Sequence, residues 1–85
     1  MGRFEVQVLP SVRKDLKGIP QKTVRRILKK IETLATDPRP PGCRKLTSGG
    51  LYRLRTGSYR ILYEIHDEEV IVIVIKVGHR RDVYK

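Results

Sequence analysis

The side chains able to do chemistry in this chain are mostly arginines, and they cluster late. Arg53, Arg55 and Arg60 lie close together, and Arg80, Arg81 and Tyr84 follow near the C-terminus. A guanidinium stays charged and matches phosphate oxygens in two-point contacts. It suits gripping a phosphate and stabilising charge on it, and it is a poor proton donor. Tyr84 offers a ring that can stack on a base and a hydroxyl beside cations. His79 and His66 are the two side chains that titrate near neutral pH when unperturbed. The single Cys43 excludes an internal disulfide. With only two histidines beside it, it supplies no metal-ligand set.

The charge balance points the same way. Nineteen Lys and Arg against nine Asp and Glu give a net charge of +10 at pH 7. Such a domain repels itself unless a polyanion is near, and nucleic acid is the commonest one. Residues 1–9 alternate polar and apolar and do not form the apolar block of a signal peptide. The longest apolar run, Val70–Ile75, is far short of the roughly 20 residues that span a bilayer. A cytoplasmic protein with no membrane partner is the expectation.

The elements that must position the arginines follow from periodicity. At 85 residues the chain is expected to be a single domain, 1–85. Residues 3–9 alternate, with Phe4, Val6 and Val8 on one face, and read as a strand. Pro10 opens a short helix to about Lys17, with Val12 and Leu16 inward. Gly18-Ile19-Pro20 breaks it. A second helix runs from Pro20 to about Thr36, with Val24, Ile27, Leu28, Ile31, Leu34 and Ala35 in one stripe. Its opposite face carries Lys22, Arg25, Arg26, Lys29 and Lys30. That face would make phosphate contacts that position the protein, or is simply solvated. Residues 37–50 are rich in breakers and read as a loop with Leu46 as anchor. Three strands follow, 51–56, 59–65 and 70–77, the last buried on both faces. Turns fall at Gly57-Ser58 and Asp67-Glu68. The fold class is α+β: a helical hairpin packed on an antiparallel sheet of about four strands, in the order β-α-α-β-β-β.

Strand parity then aims the arginines. With Gly57-Ser58 as the turn, Thr56 pairs with Tyr59, Arg55 with Arg60, Leu54 with Ile61 and Tyr52 with Tyr63. Tyr52, Leu54, Ile61 and Tyr63 form a core face, and Arg53, Arg55 and Arg60 face the other way. Like charges directly opposite are destabilising by up to about 1 kcal/mol. The arrangement makes sense if an anion sits between them; the alternative is a solvated face whose long side chains splay apart. Leu62, Ile71 and Ile73 share the arginine face by parity, and an apolar strip beside positive charge suggests a protein partner. After Val77, Gly78 ends or kinks the strand.

The stretch LYRLRTGSYRILYEIHDEEVIVIVIKVGHRRDVY resembles the C-terminal half of RelE-type toxins of the RelE/ParE superfamily, from type II toxin–antitoxin pairs. The YR-apolar-R-x-G-x-YR hairpin and the VGHRRDVY tail carry the likeness, and the element order extends it over nearly the whole chain. The resemblance implies entry into the A site of the 70S ribosome and cleavage of the mRNA there, without a metal or other cofactor. It implies attack of the 2′-hydroxyl on the adjacent phosphate, giving a cyclic phosphate and a free 5′-hydroxyl. Carried over by position, it makes Arg53, Arg55, Arg60, Arg80 and Tyr84 the catalytic set, with Lys45, His79 and Arg81 as further RNA contacts. It also implies an inhibitory complex with a cognate antitoxin. This chain has arginines at 53 and 55, where relatives often carry lysines, and a tail shorter than in some members. His79 is then the local candidate for a proton donor. Two alternatives stand beside the nuclease: a ParE-like inhibitor of DNA gyrase, and an inactive homologue that acts with its antitoxin as a co-repressor.

Overall fold

The computed structural model describes residues 3–46 and 50–79. The chain runs β1 (Glu5–Val8), α1 (Pro10–Lys17), α2 (Gln21–Thr33), β2 (Arg44–Lys45), β3 (Leu51–Thr56), β4 (Tyr59–His66) and β5 (Ile71–His79). Both helices lie on one face of a five-stranded sheet of order β1-β5-β4-β3-β2. Among the described residues no helix is long and apolar enough to cross a membrane.

The helices form where proline and the apolar stripe allow. Pro10 opens α1, where its missing N–H costs nothing. Val12 is fully buried, as are Ile27 and Leu34 of the second stripe. Leu28 of that stripe is exposed, so the buried face of α2 is narrower than the apolar pattern suggests. Beneath the helices, Tyr52, Leu54, Ile61, Tyr63, Ile65, Val72, Val74 and Val77 complete the core.

Three features depart from the sequence reading. The first strand does lie at one side of the sheet, but it runs parallel to β5, from Glu5 opposite Ile71 to Val8 opposite Val74. The helices turn the chain so that α2 finishes at the start of β1, where the Phe4 amide donates to the Ala35 carbonyl at 2.7 Å. The breaker-rich segment 37–50 contains a further strand, β2, and the Leu46 amide extends its ladder by donating to the Leu51 carbonyl at 2.8 Å. Gly78 does not end the last strand; it lies within β5, opposite Arg60.

The last hairpin is irregular at two points. The register shifts between Leu62, opposite Lys76, and Tyr63, opposite Val74, so Ile75 is the extra residue of a bulge. The bulge lets Val72, Val74 and Val77 all face the core, although strict alternation would turn Val77 outward. Val70 belongs to the turn, not the strand, and has φ 58°. That is a left-handed conformation that β-branched residues disfavour. Its side chain is exposed and adds little packing. Val70→Gly is therefore expected to raise the free energy of unfolding by about 1 kcal/mol, measured by urea denaturation. An unchanged or lower midpoint would show that Val70 is not strained.

Candidate nucleic-acid interface

The β3–β4 hairpin sets the site. Gly57 has φ 61°, as the first central residue of a two-residue II′ turn requires. The pairs that follow are Thr56–Tyr59, Arg55–Arg60, Leu54–Ile61, Arg53–Leu62 and Tyr52–Tyr63. This is the register expected from the sequence. Arg53, Arg55 and Arg60 therefore share the face opposite the helices. Next to them, β2 places Arg44 directly opposite Arg53. Two rows of paired arginines result, Arg44–Arg53 and Arg55–Arg60, separated by two residues along β3.

These side chains are not all splayed into solvent. Arg53 and Arg60 expose only 9% and 8% of their surface. In line with the Arg44–Arg53 row, Leu62 is buried on this same face. It lies opposite Arg53 on one side and Lys76 on the other, where long basic stems can cover it. Ile71 and Ile73 continue the strip and are half-buried. A guanidinium held by packing is already oriented when a phosphate arrives, and little side-chain freedom is left to lose.

The remaining candidates separate by parity. Lys45 lies opposite Tyr52, so register turns it to the helix side of the sheet edge, and its neighbour Arg44 joins the arginine face. His79 lies opposite Tyr59, also on the helix side, with its ring edge-on to Tyr59 at 5.7 Å and 81°. The sheet therefore separates His79 from the arginine rows. Arg80, Arg81 and Tyr84 lie outside the described residues. Arg44 was missed because segment 37–50 reads as a loop, and a two-residue strand leaves no periodic signal.

Charge is uneven along this face. Its far end carries Glu64, paired with His66 at 2.9 Å, and Glu5, which accepts from the Gln7 side-chain amide at 2.6 Å. The cations gather at the other end. A depression of about 330 Å³ opens there, lined by Lys30, Pro41, Gly42, Arg44, Arg53, Leu54 and Arg55. Lys30 of the basic helix face thus meets the arginine rows at the sheet edge.

A polar clasp fixes the segment that delivers Arg44. The Arg39 guanidinium donates to both carboxylate oxygens of Asp67, at 3.2 and 2.8 Å, and its Nε donates to the Tyr52 hydroxyl at 3.2 Å. The Asp67 carboxyl is held below its ordinary pKa, first by the hydrogen bonds from Arg39. Beneath the clasp, the Tyr63 hydroxyl donates to the Pro38 carbonyl at 2.8 Å. Burial, and then Cys43, push the Tyr63 phenol well above its ordinary value of 10.0.

The architecture and this face define a class: small α+β proteins whose two helices cover one side of a mixed sheet and whose other side carries paired arginines. The comparisons give the class its family. A model of the ParE toxin of the type II toxin–antitoxin system parDE matches residues 6–84. A putative toxin RelE1 of Methanocaldococcus jannaschii is 33% identical over 87 residues, spanning 98% of this chain and 97% of that protein. The archaeal RelE–RelB complex of Pyrococcus horikoshii contains a chain with a TM-score of 0.85 and 28% identity, covering 95% of this chain and 99% of that one. The RelBE2 toxin–antitoxin complex of Mycobacterium tuberculosis contains one with a TM-score of 0.80 and 27% identity, covering 92% and 99%. The chain belongs to the RelE/ParE superfamily of type II toxins, as a RelE-type member.

The buried tyrosine yields a test of the fold that carries the site. The raised folded-state pKa of Tyr63 means its contribution is full below pH 10.0 and is lost as pH rises toward the folded value. Tyr63→Phe should cost about 1 kcal/mol at neutral pH, and the alkaline loss of stability should become shallower. Denaturant melts across the alkaline range read both effects. Identical alkaline profiles for parent and variant would remove Tyr63 as their cause.

Proposed function

We propose that this toxin is a ribosome-dependent endoribonuclease that cleaves mRNA in the A site of the 70S ribosome. The observation that carries the reading is the pair Arg55 and Arg60, held opposite each other beside Arg53 on one sheet face. In the reaction the 2′-oxygen forms a bond to phosphorus and the bond from phosphorus to the 5′-oxygen breaks. The 2′-hydroxyl loses its proton and the leaving 5′-oxygen gains one. The phosphorane between these states carries an additional negative charge, which fixed guanidiniums stabilise more than they stabilise the ground state. By this reading the arginines supply the charge that a metal would supply elsewhere. The family likeness adds Arg80 as a second clamp and Tyr84 as a stacking platform or a base with its pKa lowered by cations. Arginines cannot donate the proton to the leaving oxygen. The placement of His79 across the sheet argues against that role for it.

The same reading gives the chain an antitoxin as inhibitor, a cytoplasmic setting and the ribosome as partner. The solved neighbours support the antitoxin, since they are RelE–RelB and RelBE2 complexes. An antitoxin segment with acidic residues for the arginine rows and apolar ones for Leu62, Ile71 and Ile73 fits the face. A second reading, inhibition of DNA gyrase, is favoured by the parDE name of the matching family model.

Primer extension on stalled ribosomes separates the two. The parent chain should produce cuts within A-site codons. Arg55→Ala and Arg60→Ala should each lower the single-turnover cleavage rate by roughly 10²–10³. Intact mRNA together with loss of gyrase supercoiling would favour the second reading, and cleavage unaffected by both substitutions would dissociate the nuclease from this face.

A further inference from the structure

The two lateral edges of the sheet core end differently. Beyond Val8, no described strand pairs with β5 on its β1 side, and α1 lies there instead. The Val77 amide, which a longer β1 would have met, donates to the Asp15 carboxylate at 3.2 Å. On the other side β2 stops at Arg44, and β3 runs on to Thr56. The Thr56–Tyr59 pair closes the two-residue turn, so alternation directs the backbone groups of Leu51, Arg53 and Arg55 away from β4, toward β2. The Leu46 amide donating to the Leu51 carbonyl confirms that phase. Arg44 takes the position opposite Arg53. The next position, opposite Arg55, would fall to Gly42, which has left the ladder with φ 91°. The Arg55 backbone amide therefore faces the depression that Gly42 and Arg55 both line.

The surroundings of this notch are cationic. Lys30, Arg44, Arg53 and Arg55 line it, and none of its described lining residues is acidic. Lys30, Arg44 and Arg55 are exposed, so their charges are available to an incoming ligand. At the opposite edge a carboxylate of the chain's own meets the outward amide. Here the charged groups among the described lining residues are all cations, the complement of an anionic oxygen.

We propose that this notch is a second phosphate seat, in which Lys30, Arg44 and the Arg55 amide hold the phosphate next to the one gripped by Arg55 and Arg60. The proposal rests on the reading of this face as an RNA-binding surface. The arginine rows are two residues apart along β3, about 7 Å at a rise of ~3.4 Å per residue, and successive phosphates of an extended single strand repeat on that scale. The seat would fix the strand's register, so that one phosphate alone reaches the Arg55–Arg60 row. Lys30 and Arg44 would then act as RNA-binding residues that set which bond is cut.

The test uses 2′-O-methyl oligouridylates, which lack the attacking hydroxyl, with either one or two internucleotide phosphates. Affinities for the full chain are read by fluorescence anisotropy over a range of salt. The parent should gain affinity from the second phosphate. Lys30→Ala and Arg44→Ala should each lose roughly tenfold on the two-phosphate probe and leave the one-phosphate probe unchanged. Their salt slope on the longer probe should fall by about 0.7. Both positions are exposed, so these variants keep the parental melting temperature. Arg60→Ala should weaken both probes. Parental affinity of the Lys30 and Arg44 variants for the two-phosphate probe overturns the second seat. If those variants lose affinity for oligoglutamate instead, the notch belongs to an acidic peptide and the proposal is again overturned. Should Arg60→Ala also bind both probes like the parent, the RNA-binding reading falls together with it.

Discussion

The register of the β3–β4 hairpin is the constraint on which the site depends. A two-residue turn with glycine first fixes which residues face each other, and period-two alternation does the rest. Burial on the helix side outweighs repulsion on the other. Leu54, Ile61 and Tyr63 are almost completely inaccessible, and burying each such side chain contributes roughly 1.5–3 kcal/mol. Opposed like charges such as Arg55 and Arg60 cost up to about 1 kcal/mol. A slip of one residue would reverse both faces, putting guanidiniums beneath the helices. The core therefore holds in place a charge arrangement that would not form for its own sake. That surplus of burial over repulsion is what allows the sheet to hold Arg55 and Arg60 opposite each other.

What was legible in the sequence follows from the same physics. The hairpin pairs could be read in advance because the turn is short and its glycine sits where positive φ is needed. Both helices were visible as apolar stripes after a proline. The direction of β1 was not, because parity within a strand says nothing about the path the helices take back to the sheet. β2 escaped notice because two residues among prolines and glycines carry no period. That omission had a consequence for the site: Lys45 was selected from the segment, whereas pairing with β3 puts Arg44 on the arginine face. The family resemblance makes His79 a further RNA contact. Pairing with Tyr59 turns it the other way, and no sequence pattern in a nine-residue strand with a bulge at Ile75 would have revealed this.

Not every cation is free of carboxylate neighbours. Arg39 is committed to Asp67 and Tyr52, and Lys76 lies 3.9 Å from Asp15. Arg39 joins the segment after α2 to the far turn of the β4–β5 hairpin, across the stacked rings of Tyr52 and Tyr63. Its pairing removes one charge from the pool that composition counts as available to nucleic acid. In return the segment carrying Pro38, Cys43 and Arg44 is tied to the core end of the sheet. An exposed ion pair alone would hold it weakly. The two-point geometry, the tyrosine hydroxyl and the half-buried Tyr63–Pro38 hydrogen bond act together there.

Net charge therefore overstates the site and understates its organisation. The face opposite the helices has a polarity of its own, with Glu5, Glu64 and His66 toward one end and Arg44, Arg53, Arg55 and Arg60 toward the other. A uniform basic surface would let a nucleic acid strand slide, because each phosphate would find the same field. A face that ends in carboxylates limits where the strand can lie and favours one end of the sheet. The open edge at Arg55 sharpens this further: it adds a directional backbone donor to guanidiniums whose charge attracts at longer range. On the proposed RNA-binding reading, long-range charge would bring the polyanion to the face, and paired rows with a fixed separation would decide which phosphates stay.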